Sequence, residues 1–519
     1  LSETTPAGPA GKPGDDGDMA ALAKGGRTNF FGFLLRLLAR LPFLFIAGQL
    51  YGAASVGIYA SALIVVELVA LLCSIGEKRG LAQRLADGGE EQSPLIFDSM
   101  LVALVFSGLA ALALFTFPAP MFPNGMGSDF DKWIVLAIPG YALTEIVLAA
   151  QAYRFDIATT VRARAVVEPW TISILAGVFY FIPETREGGL ALAYIVSIYA
   201  GLATALWTFL RNYGLPRGWF PHPTRISQMV MRALPLAVAD AIEWGTRRVD
   251  IFILGFFAGE VAVGIYYMAQ QVASLPQKLK TSFEPILGPV ITAKLKDKDY
   301  AAIARQVCQV GFWIIAMQLG IALALGIPGE GLMGLMGSGG QFVPGTGALV
   351  FLLAAEVVAA TAVVSEAALI YMARLRNLWV SIGTIALQVL LTLAFMVAIE
   401  NVDLWPAEKD DFYRAAAAAC ALLLALGAAS LVKAFMLSRL LGHTINNWRW
   451  ALVYATAAAV VVGFVVVQLP EWMELAFGVP AILGVYGWVI WTRGFGHEDR
   501  VLFRGMRKKD EAQEPEPAA

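Results

Sequence analysis

Stretches of about twenty mostly apolar residues recur from one end of this 519-residue chain to the other. No other feature limits its folding as strongly. At 1.5 Å per residue, a helix of that length matches the ~30 Å hydrocarbon core of a bilayer. In hydrocarbon every backbone N–H and C=O must be paired within the protein, which leaves helices or a closed barrel. The alternating polar/apolar decamers of a barrel are absent, so the stretches are predicted to be helices. The chain is 58% apolar and 15% charged, against about 45–50% and 25% in soluble domains. Its mean hydropathy is +0.66.

Fourteen spans are predicted, over 28–50, 54–76, 97–117, 133–151, 163–182, 189–210, 229–257, 261–290, 303–327, 346–372, 376–399, 412–438, 447–468 and 472–492. The longest linkers, 77–96 and 211–228, hold about twenty residues, too few for a soluble catalytic domain. Lys and Arg set the orientation. With both termini in the cytoplasm, 27 fall on the cytoplasmic side, from Lys12, Lys24 and Arg27 through Arg154, Arg162, Arg164, Arg305 and Lys433 to Arg507, Lys508 and Lys509. Four fall on the other: Lys132, Arg186, Lys409 and Arg414. A missed span would invert every loop after it.

Other chemistry is not signalled. No P-loop is present. His222, His443 and His497 lie in cytoplasmic loops or tail and form no metal cluster, so no cofactor is expected. Cys73, Cys308 and Cys420 fall within spans as small apolar fillers. The glycine-rich "GEGLMGLMGSGG" (329–340) reads as an outer loop. Residues 1–27 have the composition of a disordered tail, with Met19 a candidate natural start, and 493–519 read as a solvated tail. The first span is too long for a signal peptide, contains arginines and lacks a small-residue cleavage site.

The chain carries an internal repeat. Shifted by 207 residues, "IAGQLYGAASVGIYASA" (46–62) falls on "ILGFFAGEVAVGIYYMA" (253–269), with eight identities in seventeen positions and no gap. Among them are Gly48/Gly255, Gly57/Gly264 and Tyr59/Tyr266. Both copies join two spans through a tight outer turn. The offset covers six spans, an even number, so the two halves point the same way about an axis along the membrane normal. The expected architecture is all-α, with two pseudo-symmetric six-helix lobes and two extra helices. The N-lobe covers 28–210, a cytoplasmic linker 211–228, the C-lobe 229–440 and the extra pair 441–492.

A charge at the bilayer centre costs roughly 2.5–3.5 kcal/mol on insertion scales. Yet "EWGTRRVDIFILGFFAG" (243–259) carries Glu243, Arg247, Arg248 and Asp250 within eight residues. At 100° per residue Arg232, Asp240, Glu243, Arg247 and Asp250 lie within about 80° of one another. One face of the seventh span is therefore charged and avoids lipid; Arg248 lies off it. Arg36 and Arg40 are i,i+4 neighbours in the first span, and the repeat places Arg40 on Arg247. Gln270, Ser274, Gln277, Thr281 and Glu284 form a polar stripe on the eighth span, with Lys278 and Lys280 beside it.

Two roles stand for each of these groups. Glu243 and Arg247 at i,i+4 can simply neutralise each other. Lys278, Lys280 and Glu168 can snorkel from cytoplasmic ends. Glu67, Glu145, Glu356 and Glu366 divide evenly between helix–helix hydrogen bonding and a coupling-ion site. For Arg40 and Arg247, shared depth and repeat symmetry favour a cavity between the lobes.

"YGAASVGIYASALIVVELVALLCSIG" (51–76) resembles the outer turn and second span of bacterial Wzx-like polysaccharide flippases, within the multidrug/oligosaccharidyl-lipid/polysaccharide exporter superfamily. "VDIFILGFFAGEVAVGIYYMAQQVASLPQKLKTSFEPILGPVITAKL" (249–295) resembles the matching part of their second lobe. The resemblance implies a multi-pass protein of the bacterial inner membrane. It implies alternating access that moves a polyprenyl-pyrophosphate-linked oligosaccharide (an exopolysaccharide, capsule or O-antigen unit) between leaflets. Arg40 and Arg247, then Arg36, Arg248, Lys278, Lys280, Gln270 and Gln277, are expected to line its headgroup cleft. Asp240, Glu243 and Asp250, then Glu284, Glu67 and Glu366, are the candidate coupling or gating acids for H⁺ or Na⁺. Expected partners are the lipid-linked glycan, membrane lipid, and a polymerase and glycosyltransferases of the same pathway. No nucleic acid and a monomer are expected. The rival readings are a peptidoglycan-precursor flippase, a cation-coupled multidrug antiporter, and an integral-membrane glycan polymerase or ligase. The last needs a large outer loop that the chain lacks.

Overall fold

The computed structural model describes residues 39, 41–86, 92–154, 156–216, 218–221, 223–280, 291, 294–401 and 409–496. Helices account for the secondary structure, and no strand occurs among the described residues. In chain order they are α1 (41–51), α2 (Gly52–Cys73), α3 (Glu77–Ala86), α4 (Gln92–Thr116), α5 (Ala137–Tyr153), α6 (157–180), α7 (Gly189–Tyr213) and α8 (Pro223–Phe257). There follow α9 (Glu260–Lys280), α10 (Tyr300–Gly326), α11 (Gly329–Leu335), α12 (Thr346–Met372), α13 (Arg374–Asn401), α14 (Asp410–Leu441), α15 (Trp450–Val466) and α16 (Glu471–Gly494).

A helix covers the described part of every stretch expected to cross the membrane. Among the described residues nine helical runs are long and apolar enough to do so by themselves. α8 falls short of that composition because of its charges, and α9 because of its glutamines and other polar residues. α6 is interrupted by a π-helical turn, Arg162–Val167, and α15 is short. Two helices lie in predicted linkers. α3 fills the linker after α2, and Gly76 (φ 63°) makes the turn between them. α11 forms within the glycine-rich segment read as an outer loop. Its Met333 is fully buried, so packing overrides the weak helix propensity of glycine there.

The apolar core is one body at one end and divided at the other. At the basic-poor end a single cluster joins both halves of the chain. It includes Val56 and Tyr59 of α2, Val263 and Tyr266 of α9, Phe342, and Leu349 of α12. Toward the basic end there are two clusters. One holds Leu81, Ile96, Ile146 and Phe209. The other holds Ile303, Phe312, Leu369 and Leu437 together with Leu452 and Ile482 of the last two helices. A small set, Ile75, Val102, Met229 and Ala233, bridges the halves there. α15 and α16 pack on each other and on α10.

The repeat is visible in the packing. A Cβ added to Gly57 would lie 1.8 Å from the Glu260 carbonyl oxygen, and one added to Gly264 would lie 2.0 Å from that of Ala53. Each pair maps onto the other under the 207-residue offset. α2 and α9 thus cross backbone to backbone at a local two-fold. The same offset carries the edge-on Phe43–Tyr59 contact (5.9 Å between centroids) onto the Tyr266–Asp250 hydrogen bond.

Candidate functional site

α8 carries the charged stripe, and its 35 residues give a rod about 52 Å long. It packs against α2 on one side and α13 and α14 on the other, so part of the stripe faces protein. Asp240 and Asp250 are buried, and Arg232, Glu243 and Arg247 are exposed. Glu243 pairs with Arg247 at 3.7 Å, the two side chains about half exposed (50% and 46%). This is the i,i+4 neutralisation expected from the sequence.

Arg248 makes a different connection. Its Nη1 donates to Gln270 Oε1 of α9 at 2.7 Å, and its Nη2 stands 3.8 Å from Glu67 Oε2 of α2. Gln270 donates in turn to the Arg247 carbonyl oxygen at 3.3 Å. The counter-charge for Arg248 thus comes from the opposite half of the chain. Asp250, a candidate coupling acid, is buried and accepts a hydrogen bond from the Tyr266 hydroxyl.

Behind Glu67 lies a second cluster that sequence reasoning did not assemble. Arg164, counted there as a cytoplasmic residue, sits in the π-turn of α6. Its guanidinium contacts Glu145 of α5 and both Glu168 oxygens at 3.1 Å, with the Tyr141 ring 4.6 Å away. Tyr141 lies within electrostatic reach of Glu67, Glu145 and Glu168, and Arg248 within reach of Glu67 and Tyr141. The two clusters therefore form one polar tract. Glu168 fits against α7, partly buried, because Gly201 makes room: a Cβ there would lie 2.5 Å from Glu168 Oε1. The i,i+4 spacing of Arg164 and Glu168 was the available signal.

Glu366 stands apart. It accepts from Lys433 Nζ at 2.8 Å and from Asn377 Nδ2 at 3.2 Å, between α12, α13 and α14. Lys433, also counted as cytoplasmic, is buried at 5% exposure. Farther along α13, Gln388 is fully buried, and neither amide atom has a hydrogen-bond partner among the described residues. Arg36, Arg40 and Glu284 lie outside the described residues, as do the side chains of Gln277, Lys278 and Lys280.

The tract is closed at the basic-poor end. Beyond the glycine crossing, Asn124 Nδ2 donates to the carbonyls of Gly255 (3.2 Å) and Ala258 (2.8 Å) at the end of α8. These are carbonyls that a helix terminus leaves without intrahelical partners. Gln49 Nε2 donates to Leu335 O at 2.8 Å, and Gln341 Oε1 accepts from the Ala53 amide at 3.2 Å. With the glycine crossing this makes a polar and steric seal over the tract.

The family model described as "Polysaccharide biosynthesis protein" matches residues 29–292. No curated protein matches the chain. Among solved structures it is similar to a lipid II flippase, MurJ, in an inward closed conformation, with a TM-score of 0.66 at 10% identity over 91% of this chain and 99% of that one. It is also similar to a multidrug resistance MATE family transporter of the MOP superfamily in an inward-facing conformation (TM-score 0.61, 14% identity, 79% and 94% covered). A third is a MOP superfamily transporter from Pyrococcus furiosus whose binding pocket is described as of reverse polarity (TM-score 0.55, 13% identity, 82% and 96% covered). These likenesses show the fold alone: all-helical, and like that of MurJ and the MATE proteins.

Proposed function

We propose that this chain, which belongs to the polysaccharide biosynthesis protein family, flips a polyprenyl-pyrophosphate-linked oligosaccharide across the bacterial inner membrane. The observation that carries this reading is the placing of Arg247 and Arg248 at the junction of the halves, one about half exposed and the other bridged to Glu67. Arginine's planar fork suits a pyrophosphate, because it can bind two oxygens at once. An anion arriving between the lobes competes with Glu67 for Arg248 and with Glu243 for Arg247. Substrate binding thereby loosens a contact that joins the lobes, and the α2–α9 crossing parts as the halves alternate.

In this reading Arg40 and Arg36 supply the N-lobe's share of the cationic cleft, with Lys278, Lys280, Gln270 and Gln277 around it. Fourteen crossings put both termini in the cytoplasm, so the parted basic end faces inward. Coupling to H⁺ or Na⁺ runs through acids of the tract, Asp240, Glu243 and Asp250 ahead of Glu284, Glu67 and Glu366. The test is complementation of glycan export at matched membrane abundance. Arg247→Ala/Arg248→Ala should abolish export, and Arg→Lys should lower it less. Normal export by the double alanine variant overturns the assignment.

The coverage of 91% of this chain by the lipid II flippase likeness, against 79–82% for the MATE likenesses, supports a second reading, a peptidoglycan-precursor flippase. Depletion separates the two. Loss of a polysaccharide with normal growth favours the first, and lysis with accumulated precursor favours the second.

A further inference from the structure

At the basic end of the second half, a cavity lies where the chain leaves α14 and crosses the start of α10. Ala301, Ala304, Arg305 and Cys308 stand at i, i+3, i+4 and i+7, one face of α10, and the two alanines leave that face open. Gly442 closes α14 in the left-handed conformation (φ 68°). The turn brings His443 and Thr444 over the open face. Cys308 Sγ holds the loop, accepting from the Asn446 amide at 3.4 Å and lying 3.9 Å from the Thr444 carbonyl oxygen. These six residues line a cavity of about 290 Å³.

Its charge is one-sided. Arg305 and His443 are exposed, and neither makes an ion pair among the described residues. Of the acids that open α10, Asp299 is committed to the helix, accepting from the Ala302 amide at 3.0 Å; Asp297 is exposed. Arg449 is also committed, donating to Gly494 O at 2.7 Å and lying 4.0 Å from the Phe312 ring centroid. Trp448 and Trp450, either side of it, are 52% and 71% exposed, and tryptophan is enriched at the depth of lipid headgroups.

We propose that this cavity binds a phosphate ester, with the headgroup of an anionic phospholipid as its source. Arg305 offers its fork to two phosphate oxygens, while the His443 ring and the Thr444 hydroxyl face the same space. The ligand would tie α10 to the α14–α15 turn, and so brace the last two helices against the second lobe.

Cys308 reports occupancy directly. With Cys73→Ser and Cys420→Ser, it is the only thiol, and its maleimide labelling rate is read in nanodiscs of phosphatidylcholine alone or with phosphatidylglycerol. Phosphatidylglycerol should slow labelling about fivefold, the effect of one cation near an anionic surface. Arg305→Ala should remove the protection, while Arg376→Ala, an equal loss of charge elsewhere on the basic side, should keep it. A general surface-charge effect would survive Arg305→Ala and sink the proposal. Equal labelling in both membranes, with none of it slowed by millimolar glycerol phosphate, does the same. Protection by glycerol phosphate alone upholds the phosphate site and overturns the lipid as its source.

Discussion

Adding one methyl group to each of Gly57 and Gly264 tests the seal at the basic-poor end. Their Cβ atoms would fall 1.8 Å and 2.0 Å from backbone oxygens of the facing helix. Real Cβ contacts essentially never fall below 3.0 Å. α2 and α9 must therefore part by at least about 1 Å at the crossing, and backbone cannot rotate away as a side chain can. Overpacking of this kind costs about 1–3 kcal/mol per site. Only the closed arrangement bears that cost. At 1.4 kcal/mol per tenfold, Gly57→Ala/Gly264→Ala shifts the lobes toward separation by roughly thirtyfold at the lower end of that range. Spin labels at Met126 and Leu335, both exposed, report the gap by pulsed electron resonance in nanodiscs. The double variant should move most of the distance distribution outward. Gly177→Ala, where nothing lies within 4 Å, should leave it in place. An unchanged distribution in a folded double variant would refute the crossing as the seal.

Three further outcomes follow from the same geometry. Glu67→Gln leaves Arg248 without its partner across the lobes; the label distance should broaden, export should fall, and Glu67→Arg/Arg248→Glu should restore part of both. Gly201→Ala drives a Cβ into Glu168 and should lower the melting temperature in detergent by an amount equivalent to about 1–3 kcal/mol, whereas Gly427→Ala, in open space, should not. Single cysteines placed in 118–132 and 328–345 should label with a membrane-impermeant reagent from outside intact cells, and cysteines in 77–96 should not; the reverse pattern would invert the topology.

Much of this fold was legible because bilayer crossing is a local property. Twenty apolar residues announce a helix whatever surrounds them, and α8 was recognisable despite its charges because they share one face. The repeat was legible because a backbone crossing tolerates only glycine, at 57 and 264 alike. The partner choices were not legible. Glu67 meeting Arg248 spans 181 positions of sequence, and no periodicity records it. The partners of Arg164 and Lys433 were not legible for one shared reason. Each lies near a span end, where snorkelling is the default expectation, and only the neighbouring acids Glu145, Glu168 and Glu366 hold them inside. α11 hid behind its glycines, since propensity alone cannot reveal that Met333 has a pocket to fill.

The reciprocal contact between α2 and α9 is the interface of an isologous dimer, in which residue i meets j and j meets i, written into a single polypeptide. A true homodimer must repeat every substitution on both sides of its axis. A fused pair is free of that bond. The glycines on the axis have stayed matched, because neither helix can change its approach alone. Away from the axis the halves have diverged: Phe43 against Tyr59 in one corresponds to Asp250 against Tyr266 in the other, and Leu41 stands where the second half has Arg248. Within one chain the crossing stays symmetric while one face alone takes on charge.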